Sequence, residues 1–467
     1  MEDTGKLAQL IAALSLAVAF FLFSYFASPR KTVPWLICLS PFQTIDNPYA
    51  TSSVILTYVI GIAYILRGKL HFVPMLGFFL IMLAIYFAST GFAHRATHIQ
   101  HAIYIFSYGS AIIMFYVVYN FVRETGDIGL VLQTLIVLNV LVVIYCVIQI
   151  LFDKVSLFGI EELTIQGTRL RGADPRLTGP YGVGVTAEFL VLHTLLAAYL
   201  LVHADTLTRR YFLYLLMALN VGCLLATANR GGFLVLIGGA GLFLYMFRSQ
   251  LGLKRTLTLS IAGSFLLVFV SIVVINFTSY GAMYERLEAT EIEAGVPDTR
   301  ANTWAAAVPA IAEKPVLGHG PRLRLQDDYT KSYPGHKVVP YPHNLYLFLL
   351  YTVGFIGLVA YLAFFGWLFA RMRRGIKRSS AASFEQGLIK LGILLLVVVL
   401  IDQMKIDFLR FELVDYWHYL FAIFAMWLAL ADMARPAKGV NANKTGNLDR
   451  AVSKSAHNGL SPRSHQR

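Results

Sequence analysis

The chain has 467 residues, of which 57% are hydrophobic and 14% charged, against roughly a quarter charged in ordinary soluble domains. That balance excludes a soluble globular protein. The net charge of +13 does not point to nucleic acid, because Lys and Arg gather in short links between apolar runs and in the C-terminal tail, as membrane topology explains.

Apolar runs near twenty residues, enough to cross a hydrocarbon layer about 30 Å thick, recur along the chain and predict an all-α polytopic integral membrane protein. The expected spans are 8–28, 33–45, 52–66, 73–92, 98–122, 127–151, 182–204, 211–227, 231–247, 256–276, 342–370, 387–404 and 414–432. They number about thirteen, or twelve if the short segment with Pro34 and Pro41 does not cross. Residues 1–26 do not read as a cleaved signal, since the first six carry two acids and one base and no small-residue cleavage site follows. Cys38, Cys146 and Cys223 all fall within apolar runs. They read as small core residues with no disulfide or zinc spacing.

Basic residues set the expected orientation. Arg67 and Lys69, Arg209 and Arg210, Arg248, Lys254 and Arg255, and five Lys/Arg in 371–386 share one side with the tail after Ala434, which holds seven more. The positive-inside rule makes that side cytoplasmic. The N-terminus is external if span 33–45 crosses. Segments 152–181 and 277–341 then lie outside, the longer one carrying seven Lys/Arg against eight Asp/Glu. Four regions follow: 1–276 with helices and the external loop 152–181, a loop domain at 277–341 with short helices, helices at 342–432, and a disordered basic tail at 433–467.

The external segments carry the chemistry. Segment 152–181 supplies Arg169, Arg171 and Arg176 before the turn Thr178-Gly179-Pro180-Tyr181-Gly182. A very short link, Ala228-Asn229-Arg230-Gly231-Gly232, sets an arginine at a membrane-level turn, where it must pair, snorkel or face a polar cavity. Within 277–341, Val296-Pro297-Asp298-Thr299-Arg300 reads as a helix start, with Asp298 or Thr299 as cap and Arg300 and Trp304 on one face. Pro309 should kink or end that helix. Gly318 and Gly320 in the following turn would let backbone approach a ligand closely.

The loop ends at Pro342-His343-Asn344 and runs directly into an apolar helix, with Pro342 expected near its first position. A titratable imidazole, suited to proton transfer near neutral pH, thus sits where water meets the bilayer. Arginine forks suit a diphosphate, because each can make two parallel charge-assisted hydrogen bonds. Taken alone, each arginine is equally at home on lipid phosphate or a local acid. Glu188 and His193, on one face of span 182–204, read as a buried polar pair or a cavity lining.

These residues together resemble the O-antigen ligase / O-antigen polymerase superfamily of bacterial membrane glycosyltransferases. His343-Asn344, nine residues, Gly354, two residues and Gly357 match its His-[Asn/Ser/Gln]-x9-Gly-x-x-Gly pattern. Arg300-x3-Trp304 followed by Pro315-x-x-Gly318-x-Gly320 is similar to its large periplasmic loop. Asn229-Arg230-Gly231-Gly232 resembles its Ser-Arg-Gly turn with Asn in place of Ser, and Arg176-Leu177-Thr178-Gly179-Pro180-Tyr181 resembles its Arg-x-Ser/Thr-Gly-x-Phe/Tyr segment.

The resemblance implies a metal-independent, cofactor-free, inverting glycosyltransferase of the bacterial inner membrane, with its active site facing the periplasm. Its donor would be a glycan on undecaprenyl diphosphate and its acceptor a lipid A core sugar or another glycan. His343 would be the general base, Arg176 and Arg300 would neutralise the diphosphate, and Arg230 would assist. Asn344, Gly318, Gly320, Trp304, Glu188 and His193 would line the site. A ligase is slightly favoured over an O-antigen or exopolysaccharide polymerase, with a protein O-oligosaccharyltransferase as a further alternative. A lipid-linked glycan transporter is the reading from another class. Against it, the sequence shows no internal repeat and no interrupted helix pair in corresponding halves.

Overall fold

The computed structural model describes residues 15, 18–41, 51–67, 75–91, 98–152, 176–277, 292–293, 296–297, 300–321, 342–380, 383–406, 408–409 and 413–434. The expected tail from residue 435 onward, Arg169, Arg171, Asp298 and Thr299 lie outside them, while Met433 closes the last helix. The fold is all-α, with one very short antiparallel ladder between β1 (Ile292–Glu293) and β2 (Val296–Pro297). The helices are α1 (Pro29–Leu39), α2 (Ser52–Leu66), α3 (Leu76–Gly91), α4 (His98–Thr125), α5 (Ile128–Phe152), α6 (Val183–Val202), α7 (Leu207–Ala226), α8 (Arg230–Phe277), α9 (Arg300–Glu313), α10 (Leu345–Arg378), α11 (Phe384–Asp402) and α12 (Val414–Met433). Eight segments among the described residues are long and apolar enough to cross a membrane, in α4, α5, α6, α7, α8, α10, α11 and α12. Shorter apolar helices, α2, α3 and 263–274, occupy positions of further expected spans. The protein is thus a multi-pass, all-α membrane protein.

Helix α12 is the axis of the bundle. Its whole apolar window is buried, and Trp417 and Trp427 are among the largest fully enclosed side chains. Trp427 donates its indole N–H to the Leu388 carbonyl at 2.6 Å. Gly392 lies where any side chain would overlap the Trp427 ring. Without a hydrophobic drive between helices in lipid, such close small-residue packing and interhelical hydrogen bonds hold the bundle.

Polar side chains start the helices at the basic end. Asp127 accepts from Leu130 N–H at 3.1 Å, Thr206 from Arg209 N–H at 3.3 Å and Ser383 from Gln386 N–H at 3.1 Å. Each cap is worth about 1 kcal/mol. The same end holds the Arg371–Asp432 ion pair at 2.6 Å and the Arg30–Asp127 pair at 3.6 Å. The opposite end holds His343, Arg176 and the turn at Asn229.

Three helical features refine the expected spans. Residues 248–255 form no loop, because α8 continues on both sides of a single non-helical residue, Gly252 (φ 69°, ψ 162°). A straight helix from Arg230 to Val270 would span about 60 Å, yet Val270 packs against Gly222 on the preceding helix. The chain therefore doubles back at Gly252. Pro309, expected to kink or end its helix, does not end α9, which runs on to Glu313. Ala305 and Pro309 both face outward, so the carbonyl that loses its partner lies on the exposed side. Finally, α10 is interrupted at Gly354 (φ 66°, ψ −168°). Among the described residues the other such break, Gly252, is a chain reversal, so no matching interrupted pair emerges.

Candidate active site

Asn344, rather than Pro342, starts α10. Its Oδ1 accepts from the N–H groups of Tyr346 at 3.0 Å and Leu347 at 3.2 Å, while Pro342 stands two residues before this cap. Between them, His343 is exposed and adopts φ 46°, a left-handed conformation. That conformation is uncommon outside glycine, although His tolerates it better than most residues. Its neighbours hold it there: Trp304 donates its indole N–H to the Pro342 carbonyl at 2.7 Å, and Leu345 N–H donates to the Gln403 carbonyl at 2.9 Å. The imidazole is therefore displayed by a backbone pinned on both sides.

The break at Gly354 is filled by the loop from Pro315 to Gly320. In an unbroken helix, the carbonyls of Tyr351 and Thr352 would take the N–H groups of Phe355 and Ile356. Here those carbonyls accept from His319 N–H and Gly320 N–H, both at 2.8 Å. The released N–H groups of Phe355 and Ile356 donate to Pro315 and Val316 at 2.8 and 3.3 Å. The freed groups thus regain partners, as buried backbone requires.

This docking explains the glycines of the motif. A Cβ on Gly354 would overlap the Val316 carbonyl, one on Gly318 would stand 2.5 Å from the Thr352 carbonyl carbon, and one on Gly320 would stand 2.5 Å from the His101 ring. Close approach was expected at Gly318 and Gly320, but what approaches them is the opened helix and His101. His319 adds a hydrogen bond from Nε2 to the Ala310 carbonyl at 2.7 Å and stacks on Tyr351.

A second group of polar residues surrounds the turn at 227–232. Arg176 Nε donates to the Thr227 carbonyl at 3.1 Å and Nη2 to the Ala228 carbonyl at 3.4 Å. Ala228 is itself left-handed, with φ 48°. Asn229 Oδ1 then accepts from Gly232 N–H at 2.9 Å and starts α8, whose first residue is the half-buried Arg230. The beginning of α6 lies alongside: Gly184 adjoins Asn229, and Gly182 offers no side-chain cap.

Residues after α11 join these two groups, and the sequence reading missed them. Lys405 Nζ lies 2.6 Å from Asp402 Oδ1 and 3.5 Å from Asn229 Oδ1. Gln403 donates from Nε2 to Glu188 Oε2 at 2.9 Å, accepts at Oε1 from Phe408 N–H at 3.0 Å, and accepts at its backbone carbonyl from Leu345. Hydrogen bonds and one ion pair thus link the Arg176 turn, through Lys405 and Gln403, to the helix that displays His343. The signal was available, since Asp402-Gln403-Met404-Lys405 is a polar link between apolar helices at the His343 end.

The remaining expected residues divide. Arg300 begins α9, one turn before Trp304, and its side chain lies outside the described residues. Glu188 and His193 do not pair with each other. Glu188 is fully buried against Gln403, whereas His193 contacts the carbonyls of Phe189 and Leu135 and the hydroxyl of Tyr419, all within 3.2 Å. Among the described residues, no group of three or more His, Cys, Asp or Glu is placed to share a metal ion.

The sequence model of the O-antigen ligase family matches residues 213–362. That match supports assignment of the chain to an O-antigen ligase-like superfamily. The matched segment contains the Asn229 turn, Arg300 and Trp304, the Pro315–Gly320 loop, His343 and the Gly354 break. It excludes Arg176, Glu188 and Lys405. The family is one of ligase- and polymerase-type glycosyltransferases, working on lipid-linked glycans and glycan acceptors. No curated relative matches the chain.

Proposed function

We propose that the protein transfers a glycan from undecaprenyl diphosphate to an acceptor hydroxyl at the periplasmic face of the bacterial inner membrane, as an O-antigen ligase acting on the lipid A core. The observation that carries this reading is the bonded path between His343's helix and the Arg176 turn, at the bundle end opposite the basic residues Arg209, Arg210 and Arg371 to Arg378. A base and a set of cations are what the reaction needs, because diphosphate is already a competent leaving group.

In this account His343 takes the proton of the acceptor hydroxyl as its oxygen attacks the anomeric carbon. The bond from that carbon to the diphosphate oxygen breaks on the opposite face, which inverts the centre. The electron pair leaves on undecaprenyl diphosphate, beside Arg176, Arg230 and Arg300, and His343 later releases its proton to water. The uncapped start of α6 and the start of α8 add the positive ends of two helix dipoles, which favour anions. The positive-inside rule assigns the Arg371 end to the cytoplasm and the His343 end to the periplasm.

Deleting the gene and separating the envelope glycans tests the assignment. A ligase leaves lipopolysaccharide without long chains while lipid-linked polymer accumulates. A single capped repeat identifies a polymerase instead, and unchanged lipopolysaccharide removes both.

A further inference from the structure

Lys405 is a charged residue at this end that no family motif claims. Its side chain is 10% exposed and its partner Asp402 is fully buried. The aliphatic stem crosses Gly231, where a Cβ would overlap Lys405 Cδ. The ammonium group is thereby delivered to Asn229, the residue following the carbonyls that Arg176 holds. Two residues earlier, Gln403 fixes the same turn to Leu345 and to Glu188. Lys405 is thus tied to both halves of the site.

A buried ion pair is a poor device for stability alone, since apolar residues of similar volume often do as well or better. A lysine that only balanced Asp402 would also not need the side-chain-free surface of Gly231 or the amide oxygen Oδ1 of Asn229. A compact, mobile ammonium beside fixed arginine forks does suit an anion that arrives and departs.

We propose that Lys405 is a further cation for the diphosphate of the lipid-linked donor, held on Asp402 beside the Asn229 turn until a phosphate oxygen takes that place. This rests on the donor assignment above. Lys405 would reach the leaving group from the segment after α11, across Gly231 at the start of α8. The ligand class is a polyprenyl diphosphate, and the lysine's contribution is preference for diphosphate over monophosphate.

The test measures binding of undecaprenyl diphosphate and undecaprenyl monophosphate to full-length protein in detergent. Wild type should prefer the diphosphate by about tenfold or more, the worth of one charge-assisted hydrogen bond. Lys405→Met should narrow that preference by about tenfold, leaving the share that Arg176, Arg230 and Arg300 supply, and Lys405→Arg should keep most of it. Wild type that binds neither lipid overturns the donor assignment and the lysine's role together. A preference equally present in wild type and Lys405→Met overturns the lysine's role alone. If Lys405→Met does not fold, acetylation of the wild-type amine, read by mass spectrometry, replaces it. Protection of Lys405 by undecaprenyl diphosphate supports the proposal, and equal labelling with and without that lipid overturns it.

Discussion

The indole of Trp304 donates a hydrogen bond of 2.7 Å to the carbonyl of Pro342, and so ties α9 to the residue immediately before the candidate base. The helix that begins with Arg300 and the helix that displays His343 therefore share one polar contact. It gives Trp304 of the Arg300-x3-Trp304 motif a physical meaning: its indole fixes the backbone next to His343.

Trp304→Phe removes the donor and keeps most of the ring. The transfer rate constant should fall between about ten- and a hundredfold, since displacement of a reacting group by about an ångström has that effect. Donor affinity should hardly change. Steady-state transfer with varied donor separates the two, and an unaltered kcat would remove Trp304 from positioning His343.

Gly354→Ala places a Cβ against Val316 in a left-handed backbone. Strain costs about 1–2 kcal/mol and overlap about 1–3 more, so the thermal midpoint should drop clearly. Gly366→Ala is the control: Gly366 lies within the same helix and nothing stands near its Cβ, so helix propensity should raise stability by about 0.5–1 kcal/mol. Equal midpoints for the two variants would contradict the docked-loop geometry.

Arg176→Lys tests the guanidinium itself. A single ammonium cannot reproduce the planar pair of N–H groups now directed at the carbonyls of Thr227 and Ala228. Transfer should fall by about tenfold or more, the turn should become more open to hydrogen exchange, and wild-type turnover would dissociate Arg176 from the site.

Gln403→Leu leaves Glu188 and the Phe408 N–H without their partner in a fully buried place. Unmatched buried groups cost about 1–3 kcal/mol each, so the melting temperature should fall by several degrees. Denaturation in matched detergent measures it, and a neutral result would show that the link between Glu188 and α10 carries no weight.

Much of the fold was legible because hydropathy is a local signal. The runs that became α4 to α7 and α10 to α12 needed only length and apolar content. The caps Thr206 and Ser383 start α7 and α11 four and three residues before the expected runs at 211 and 387. The reversal between the expected spans 231–247 and 256–276 was legible from the basic link 248–255, though not its compression to Gly252 alone. The Gly354 break was not legible in this way, because it replaces ordinary helix with one left-handed glycine in an apolar stretch. The meaning of Gly354 depends on a loop more than thirty residues upstream. In the site, His343, Arg176 and Arg230 stood out as charges or imidazole near glycine turns. Lys405 was passed over although it ends the polar link Asp402-Gln403-Met404-Lys405; what that link does not encode is the packing over Gly231. Glu188 and His193 shared a helix face on paper, yet separate neighbours, Gln403 and Tyr419, draw them apart.

The most direct test of the account is transfer by purified His343→Asn beside wild type, in proteoliposomes supplied with a glycan on undecaprenyl diphosphate and a lipid A core acceptor. Asparagine tolerates the left-handed backbone, so folding stability should stay within about 0.5 kcal/mol of wild type. Wild type should yield a product with inverted anomeric configuration, and the well-folded variant should yield none. Transfer by His343→Asn at the wild-type rate, or retention of configuration, would contradict the role given to that imidazole.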